Sequence, residues 1–537
     1  MDDEKTIKGL IAAETALRRT FAIISHPDAG KTTLTEKLLL YAGMIRTAGM
    51  VHGRKTAKHV SSDWMAMERE RGISITSSAM QFRYKGVVIN VLDTPGHQDF
   101  SEDTYRTLTA ADSAVMVIDA GKGVEAQTRK LFAVCRMRNT PILTFINKMD
   151  MPGREPLSLL SEVEDVLKIH AAPVNWPIGS GRDFCGVVDL RTEEVILFDA
   201  TQTNGAHLTH GSRVPLSEIN ESHMRPDQLS QLKDDLALIA EAGNKFDLAS
   251  FLAGKITPVF FGSALTNFGI EPFFDSFAAL APCPKSRPAT ESASGAPILI
   301  DPVEEGFAAY VFKIQANMNP RHRDSMAFLR VCAGRFERDL MVKHGSQKKE
   351  VRLSRSHSMF GGERTTLDVA YPGDIIGVVN PGQFAIGDTV SERGGFNFQP
   401  MPRFSPEVVA ELRPLDAGRK KAFDKGVQQL SDEGAILVLK TRDKMQTRLL
   451  IAAVGQLQFE VIQYRLANEY GVRSELSMLP FKAGAWLKGD PASFALPSGT
   501  MLAEDQKGQI VFLYSLEWER RVALERNIHH QLLDFVQ

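Results

Sequence analysis

Short apolar runs alternate with segments of helical period along the first 150 positions. Residues 5–20 space their apolar positions as a helix does and lead into the apolar strand Phe21-Ala22-Ile23-Ile24. A helix near 32–42 is expected next, then a hairpin from 77 to 92, a helix near 101–111, a strand over 113–119, a helix over 127–138 and a strand over 141–147. Strands and helices taking turns predict a mostly parallel sheet covered on both faces, with its ligand at the carboxyl ends of the strands. Between Asp150 and Gly262 lie 111 residues, far more than one crossover needs. They carry strand-like pieces (Gly186 to Leu190, Glu194 to Asp199) and a helical stretch around 227–242, so a subdomain inserted over about 151–255 is expected. The sheet resumes with Ile256 to Phe261 and closes with a helix near 270–280.

Residues 281–300 (APCPKSRPATESASGAPILI) have the composition of a linker. Short β-like runs separated by Gly-containing turns then predict a small barrel. A second break at 398–406 precedes an α+β segment running to the end. The expected domains are therefore 1–285, with its insert, then a β-barrel domain over 295–397 and a C-terminal α+β domain over 403–537.

Three strings fall where strands hand over to loops. The first is Ser25-His26-Pro27-Asp28-Ala29-Gly30-Lys31-Thr32-Thr33. Gly30, Lys31 and Thr32 match the end of GxxxxGK[ST], in which backbone N–H groups surround a β-phosphate and the lysine reaches the β- and γ-phosphates. Ser25 replaces the first glycine, which is tolerable if the loop entry needs no special backbone conformation. Thr32 would ligate Mg²⁺. The bland alternative is a Gly-containing turn before a structural helix.

The second string, Asp93-Thr94-Pro95-Gly96-His97, ends an apolar strand. Asp93 would hold Mg²⁺ through a water, and Gly96 could bring its N–H to the γ-phosphate, making a loop that relaxes after hydrolysis. His97 stands where a side chain could orient the attacking water. Upstream, Ser74 in Arg71-Gly72-Ile73-Ser74-Ile75-Thr76 is the further metal candidate, with Thr76 the neighbouring alternative.

The third string, Asn147-Lys148-Met149-Asp150, reads the base. An Asp150 carboxylate accepts from guanine N1–H and N2–H₂, whereas adenine would leave it unpaired; such sites discriminate by roughly 10⁴–10⁵. Lys148 would cover the ring and Asn147 would brace the loop. Ser263-Ala264-Leu265, after the last strand, would offer a backbone N–H to guanine O6. Together the strings define a magnesium-dependent GTP site.

Composition adds limits. The chain of 537 residues is 43% hydrophobic and 24% charged, as soluble globular proteins are. Its four cysteines form no CxxC pair, which argues against zinc or a disulfide framework and suits a reducing cytoplasm. No apolar run approaches the roughly 18 residues that span a bilayer. A formal net charge of −2 leaves nucleic-acid contact to local patches, of which residues 321–355, with ten Lys/Arg against four Asp/Glu, are one candidate.

With these residues read, the chain resembles the translational GTPases. DTPGH, NKMD, the RGISIT loop and a GTPase domain followed by a β-barrel are similar to elongation factors G and Tu. Further strings (SDWMAMERERGISIT, QDFSEDTYRTLTA, AYVFKIQANMNPRHRD, AVGQLQFEVIQYRL) resemble the branch that acts at termination. The resemblance implies an α/β P-loop GTPase domain with an inserted subdomain, then a β-barrel domain and a C-terminal α+β domain. It implies a GTPase stimulated by the ribosome that removes codon-reading release factors after peptide release, with GTP/GDP and Mg²⁺ as ligands. The ribosome (rRNA and ribosomal proteins) and those release factors would be the partners of a cytoplasmic monomer without membrane or DNA contacts. A GTP-dependent ribosome-binding factor of elongation or ribosome assembly is the alternative. The family more often has Thr at the position of Ser74.

Overall fold

The computed structural model describes residues 2–45, 76–198, 207–208, 210–316, 325–345, 350–354, 356–360, 363–442 and 448–536. Helix α1 (Asp2–Leu17) leads into strand β1 (Arg18–Ser25), and helix α2 (Lys31–Tyr41) follows a short loop. Strands β2 (Ser78–Tyr84), β3 (Val87–Asp93), β4 (Ser113–Asp119), β5 (Ile142–Asn147), Ile256–Phe261 and β6 (His170–Pro173) complete the sheet. Its order is β2-β3-β1-β4-β5-(256–261)-β6, parallel throughout except between β2 and β3.

Alternate residues of the central strands enter different cores, as the two-residue strand period requires. Ala22, Ile24, Met116 and Ile118 pack on one face, and Phe21, Ile23, Val115 and Val117 on the other. Ile23 is in register with Asp93, Ser25 with Val117, and Asp119 with Asn147. The sheet thus presents Ser25, Asp93, Asp119 and Asn147 along one rim.

The stretch from 151 to 255 only partly folds by itself. Its strand β6 joins the main sheet beside Ile256–Phe261. The rest forms a four-stranded antiparallel sheet (Asn175–Ile178, Gly186–Asp189, Glu194–Leu197, Ser212–Pro215) covered by the helix Pro226–Ala242, where Trp176 Nε1 donates to Asp235 at 3.0 Å.

Residues 281–300, read as a linker, contain an antiparallel hairpin of Arg287–Glu291 with Pro297–Ile300, whose first strand also pairs with Phe396–Phe398. Arg287 anchors it by donating to the Thr109 carbonyl at 2.8 Å and pairing with Asp112 at 3.3 Å.

The next unit is a curled antiparallel sheet built on Ala308–Ala316, Ser325–Ala333 and Ile375–Val379. Through the backbone pairing of Phe360 with Met80 it is continuous with the first sheet, giving fifteen strands in all. Arg330, one of the ten basic residues over 321–355, does not face solvent: it is 0% exposed, donates to Thr20 Oγ1 at 2.6 Å and pairs with Asp112. It is an interface cation, so it does not contribute to an RNA-facing patch. Arg330→Ala is expected to cost about 3 kcal/mol, the low end for a broken buried pair because Arg287 remains beside Asp112. Urea unfolding followed by fluorescence measures that cost.

The last part is an eight-stranded antiparallel sheet with the helices Lys420–Asp432 and Gln456–Tyr470 on one face. Strands Ala483–Lys488, Met501–Asp505 and Ile510–Tyr514 belong to it, so the far end of the chain is part of this unit.

Candidate functional site

The phosphate loop is shaped by two residues in the left-handed region, Asp28 (φ 65°) and Gly30 (φ 93°). Ser25 is not among them, so its backbone conformation is one that ordinary residues adopt and the missing first glycine is not needed at the loop entry. A Cβ on Gly30 would stand 2.2 Å from Asn147 Nδ2, which explains glycine there. Gly30 caps α2 without a side-chain hydrogen bond, so the cap residue supplies no acceptor to the first N–H groups of this eleven-residue helix. Such an end attracts anions through its free donors and its dipole.

Lys31 adds a cation to this cradle. Its Nζ lies 2.6 Å from Asp93 Oδ1, with the two side chains 6% and 1% exposed. The other carboxylate oxygen, Asp93 Oδ2, is buried without a hydrogen-bond partner. Leaving such an atom unpaired is costly, and it marks where a hard cation or its water would sit. The Thr32 hydroxyl, half-buried at the same helix end, forms no bond among the described residues. Oxygen donors of this kind suit Mg²⁺, which keeps several waters and takes few protein ligands. Ser74 lies outside the described residues.

Thr76 is half-buried, and Ser77 beside it is gripped from three sides. Its N–H donates to Asp103 at 2.7 Å, Thr107 donates to its hydroxyl at 2.9 Å, and Lys313 from the curled sheet donates to that hydroxyl at 3.0 Å. Burial pushes the Asp103 carboxyl up, but the Lys313 and Arg106 charges and the Ser77 N–H outweigh it and hold it below the ordinary range.

In the second loop, Thr94 donates to the Ile23 carbonyl at 2.6 Å and Thr104 to the Pro95 carbonyl at 3.2 Å, which moors the loop to β1 and to the helix Ser101–Ala110. A Cβ on Gly96 would meet Pro27 at an ordinary 3.7 Å. Among the described residues nothing crowds that position, so their packing does not by itself require glycine there. The His97 side chain is 35% exposed, and its Nδ1 lies 3.2 Å from Asp99 Oδ1 and 3.3 Å from the Asp99 N–H.

At the other end of the rim, Asn147 spans two loops. Its Nδ2 donates to the Ala29 carbonyl and its Oδ1 accepts from the Ala264 N–H, both at 2.8 Å. Lys148 adopts φ 69° and rests its Nζ 2.8 Å from Asp119. Burial raises the Asp119 carboxyl, but Lys148 and the N–H groups of Gly121 and Lys122 prevail and lower it. Met149 is buried, with its N–H on the Gly262 carbonyl at 3.1 Å. Asp150 is half-buried, and its carboxylate has no partner among the described residues.

The loop after the last strand differs from expectation in detail. The Ser263 N–H goes to the Phe268 carbonyl and the Ala264 N–H to Asn147, so among the described residues the exposed Leu265 is the one of the three whose N–H has no partner.

Two residues of the rim were not foreseen. Asp119 ends the apolar strand β4 as Asp93 ends β3, so the same signal was present. Glu125 pairs with His26 Nε2 at 3.0 Å, a contact that no local pattern announces.

Comparison with known proteins agrees with this geometry. Residues 17–283 match the Elongation factor Tu GTP binding domain, 306–393 match Elongation factor G domain 2, and 398–524 match the Class II release factor RF3, C-terminal domain. A crystal structure of a Thermus thermophilus protein shares the fold at a TM-score of 0.67 and 21% identity, over 91% of this chain and 72% of that one. Fold and site therefore define a translational GTPase that binds guanine nucleotides. Peptide chain release factor 3 of Gloeobacter violaceus is 51% identical over 97% of this chain and 98% of its own length. That of Cyanothece sp. is 50% identical over 96% and 94%. The chain belongs to the release factor 3 family, whose work lies in translation termination.

Proposed function

We propose that this GTPase binds GTP with Mg²⁺, hydrolyses GTP on the ribosome, and uses that cycle to drive codon-reading release factors off after the peptide has left. The observation that carries the reading is the Lys31–Asp93 pair at 2.6 Å beneath an uncapped helix end, with the second Asp93 oxygen buried and unbonded. In this reading the N–H groups of Gly30 to Thr33 hold the β-phosphate, Lys31 bridges the β- and γ-phosphates, and the Gly96 N–H approaches the γ-phosphate. Held by Thr32, by Ser74 (or Thr76) and through a water by Asp93, Mg²⁺ would neutralise charge on the phosphate oxygens. Asp150 selects guanine, with Lys148 over the ring, Asn147 and Met149 shaping the loop, and Ser263, Ala264 and Leu265 closing the O6 side.

His97 orients the attacking water once the ribosome has fixed the loop. For GTP to move the protein from 1:99 to 99:1 in favour of a ribosome-docking arrangement, it must prefer that arrangement by about 5.5 kcal/mol. Several charge-assisted contacts to one γ-phosphate are enough to supply this. The same reading makes the protein a cytoplasmic monomer acting on ribosomes.

His97→Ala is expected to lower ribosome-stimulated hydrolysis by about 10²–10⁴-fold while keeping GTP affinity. Release-factor dissociation from terminated ribosomes is measured in parallel. Full hydrolysis in the variant would refute the role of His97. Wild-type hydrolysis without faster release-factor departure would refute the termination role.

A further inference from the structure

We propose that Asp99 is a positioning residue for His97, set from the C-terminal domain by the helix Gln456–Tyr470. The inference rests on the role given to His97 above. One Asp99 oxygen lies 3.2 Å from His97 Nδ1, and the other accepts the Leu457 N–H at 2.8 Å. Leu457 belongs to the first turn of that fifteen-residue helix, whose cap position is Gly455. Glycine has no side chain to satisfy the first donors of a helix, and Asp99 does so from another domain. The fit is close: a Cβ on Gly455 would stand 2.0 Å from the Asp99 Cγ. Asp99 itself is buried, so its carboxylate has few other arrangements open to it.

The consequence for His97 is chemical. Its Nδ1 lies near two groups of Asp99 that ask for opposite things. A bare Nδ1 accepts the Asp99 N–H at 3.3 Å, and a protonated Nδ1 donates to the carboxylate at 3.2 Å. A carboxylate held beside Nδ1 favours the proton there, which leaves Nε2 with its lone pair free to accept from water. The helix of the C-terminal domain holds that carboxylate in place, so docking of this domain fixes the tautomer with which His97 can orient water. Withdrawal of the helix frees the carboxylate and lets the proton move to Nε2. The wiring connects domain arrangement to the hydrolytic group without touching the nucleotide.

Two variants approach the contact from opposite sides. Asp99→Asn keeps the shape and an acceptor for the Leu457 N–H but removes the charge beside Nδ1. Gly455→Ala leaves the GTPase domain unchanged and displaces the carboxylate. Both are expected to slow single-turnover, ribosome-stimulated GTP hydrolysis by the full chain about 10- to 100-fold, the scale for a misplaced catalytic group. GTP affinity should stay at the wild-type value in both. Nitrogen-15 spectra of the His97 ring should show the Nδ1–H form in the wild type and a shift toward Nε2–H in Asp99→Asn. Lys130→Ala, which removes an exposed contact to Glu407 at the same domain boundary, should hydrolyse normally. Wild-type rates in both variants, an unchanged tautomer, or a fall in hydrolysis matched by Lys130→Ala would each overturn the proposal. If His97→Ala itself keeps full activity, the failure lies in the role of His97 and not in the contact.

Discussion

Asp150→Asn will exchange guanine for xanthine as the favoured base. In the base-reading role proposed above, the Asp150 carboxylate would present two acceptors to the adjacent N1–H and exocyclic amine of guanine. An asparagine presents one acceptor and one donor, so its NH₂ meets a guanine N–H head on. Xanthine carries a carbonyl where guanine has its amine and restores the match with asparagine. A site built to bond such groups rejects the wrong partner by about 10³-fold or more, because its buried polar atoms are left unpaired. GTP affinity should fall by that factor and xanthosine triphosphate should support ribosome-stimulated turnover. The melting temperature of the nucleotide-free protein should not change, since Asp150 bonds to no other described residue. Competition of both nucleotides against a fluorescent GDP analogue measures the exchange, and retained GTP affinity would remove Asp150 from the base-reading role.

Gly30→Ala is the second large effect. The added methyl would sit 2.2 Å from Asn147 Nδ2 in a residue at φ 93°. A left-handed alanine costs about 1–2 kcal/mol. Pushing Asn147 aside also breaks its bonds to the Ala29 carbonyl and the Ala264 N–H, and each buried group left unsatisfied costs about 1–3 kcal/mol. The total of about 3–8 kcal/mol predicts a loss of GTP and GDP affinity of at least about 10²-fold. Loss of both nucleotides together separates this from a defect at the γ-phosphate, which would spare GDP. Calorimetric titration with each nucleotide decides it.

How much of this was legible in the sequence depended on whether the cause was local. Strands ending in a carboxylate or amide at a loop announced Asp93 and Asn147, because an apolar run followed by a polar residue marks a sheet rim. Asp119 carried the same mark and was passed over for want of a named motif. The hairpin at 287–300 was hidden by composition: Pro, Ser and Ala report local preference, whereas its pairing partner Phe396–Phe398 lies about a hundred residues on. Strand β6 has only four residues and gains its place from Ile256–Phe261 beside it. Asp99 carries no local signal in the sequence, since its second partner, Leu457, is 358 positions away. Arg330 counted as a surface charge until the fold put it against Asp112.

Strand β2 is shared property. On one side it pairs with β3, which carries Asp93, and on the other its Met80 meets Phe360 of the curled sheet. The nucleotide-holding part and the curled sheet are thereby joined into one plate, riveted by the buried Arg330 with the part-buried Arg287 and Asp112. A plate of that kind does not flex cheaply in its middle, so mechanical compliance collects along the seam with the C-terminal domain. Among the described residues that seam is stitched by few bonds, Asp99 to Leu457, Arg106 to the Gly434 carbonyl, and Ala316 to Glu433 being three of them. Among the described residues, a swing of the last domain against the other two therefore breaks fewer backbone pairings than a change of shape within that plate.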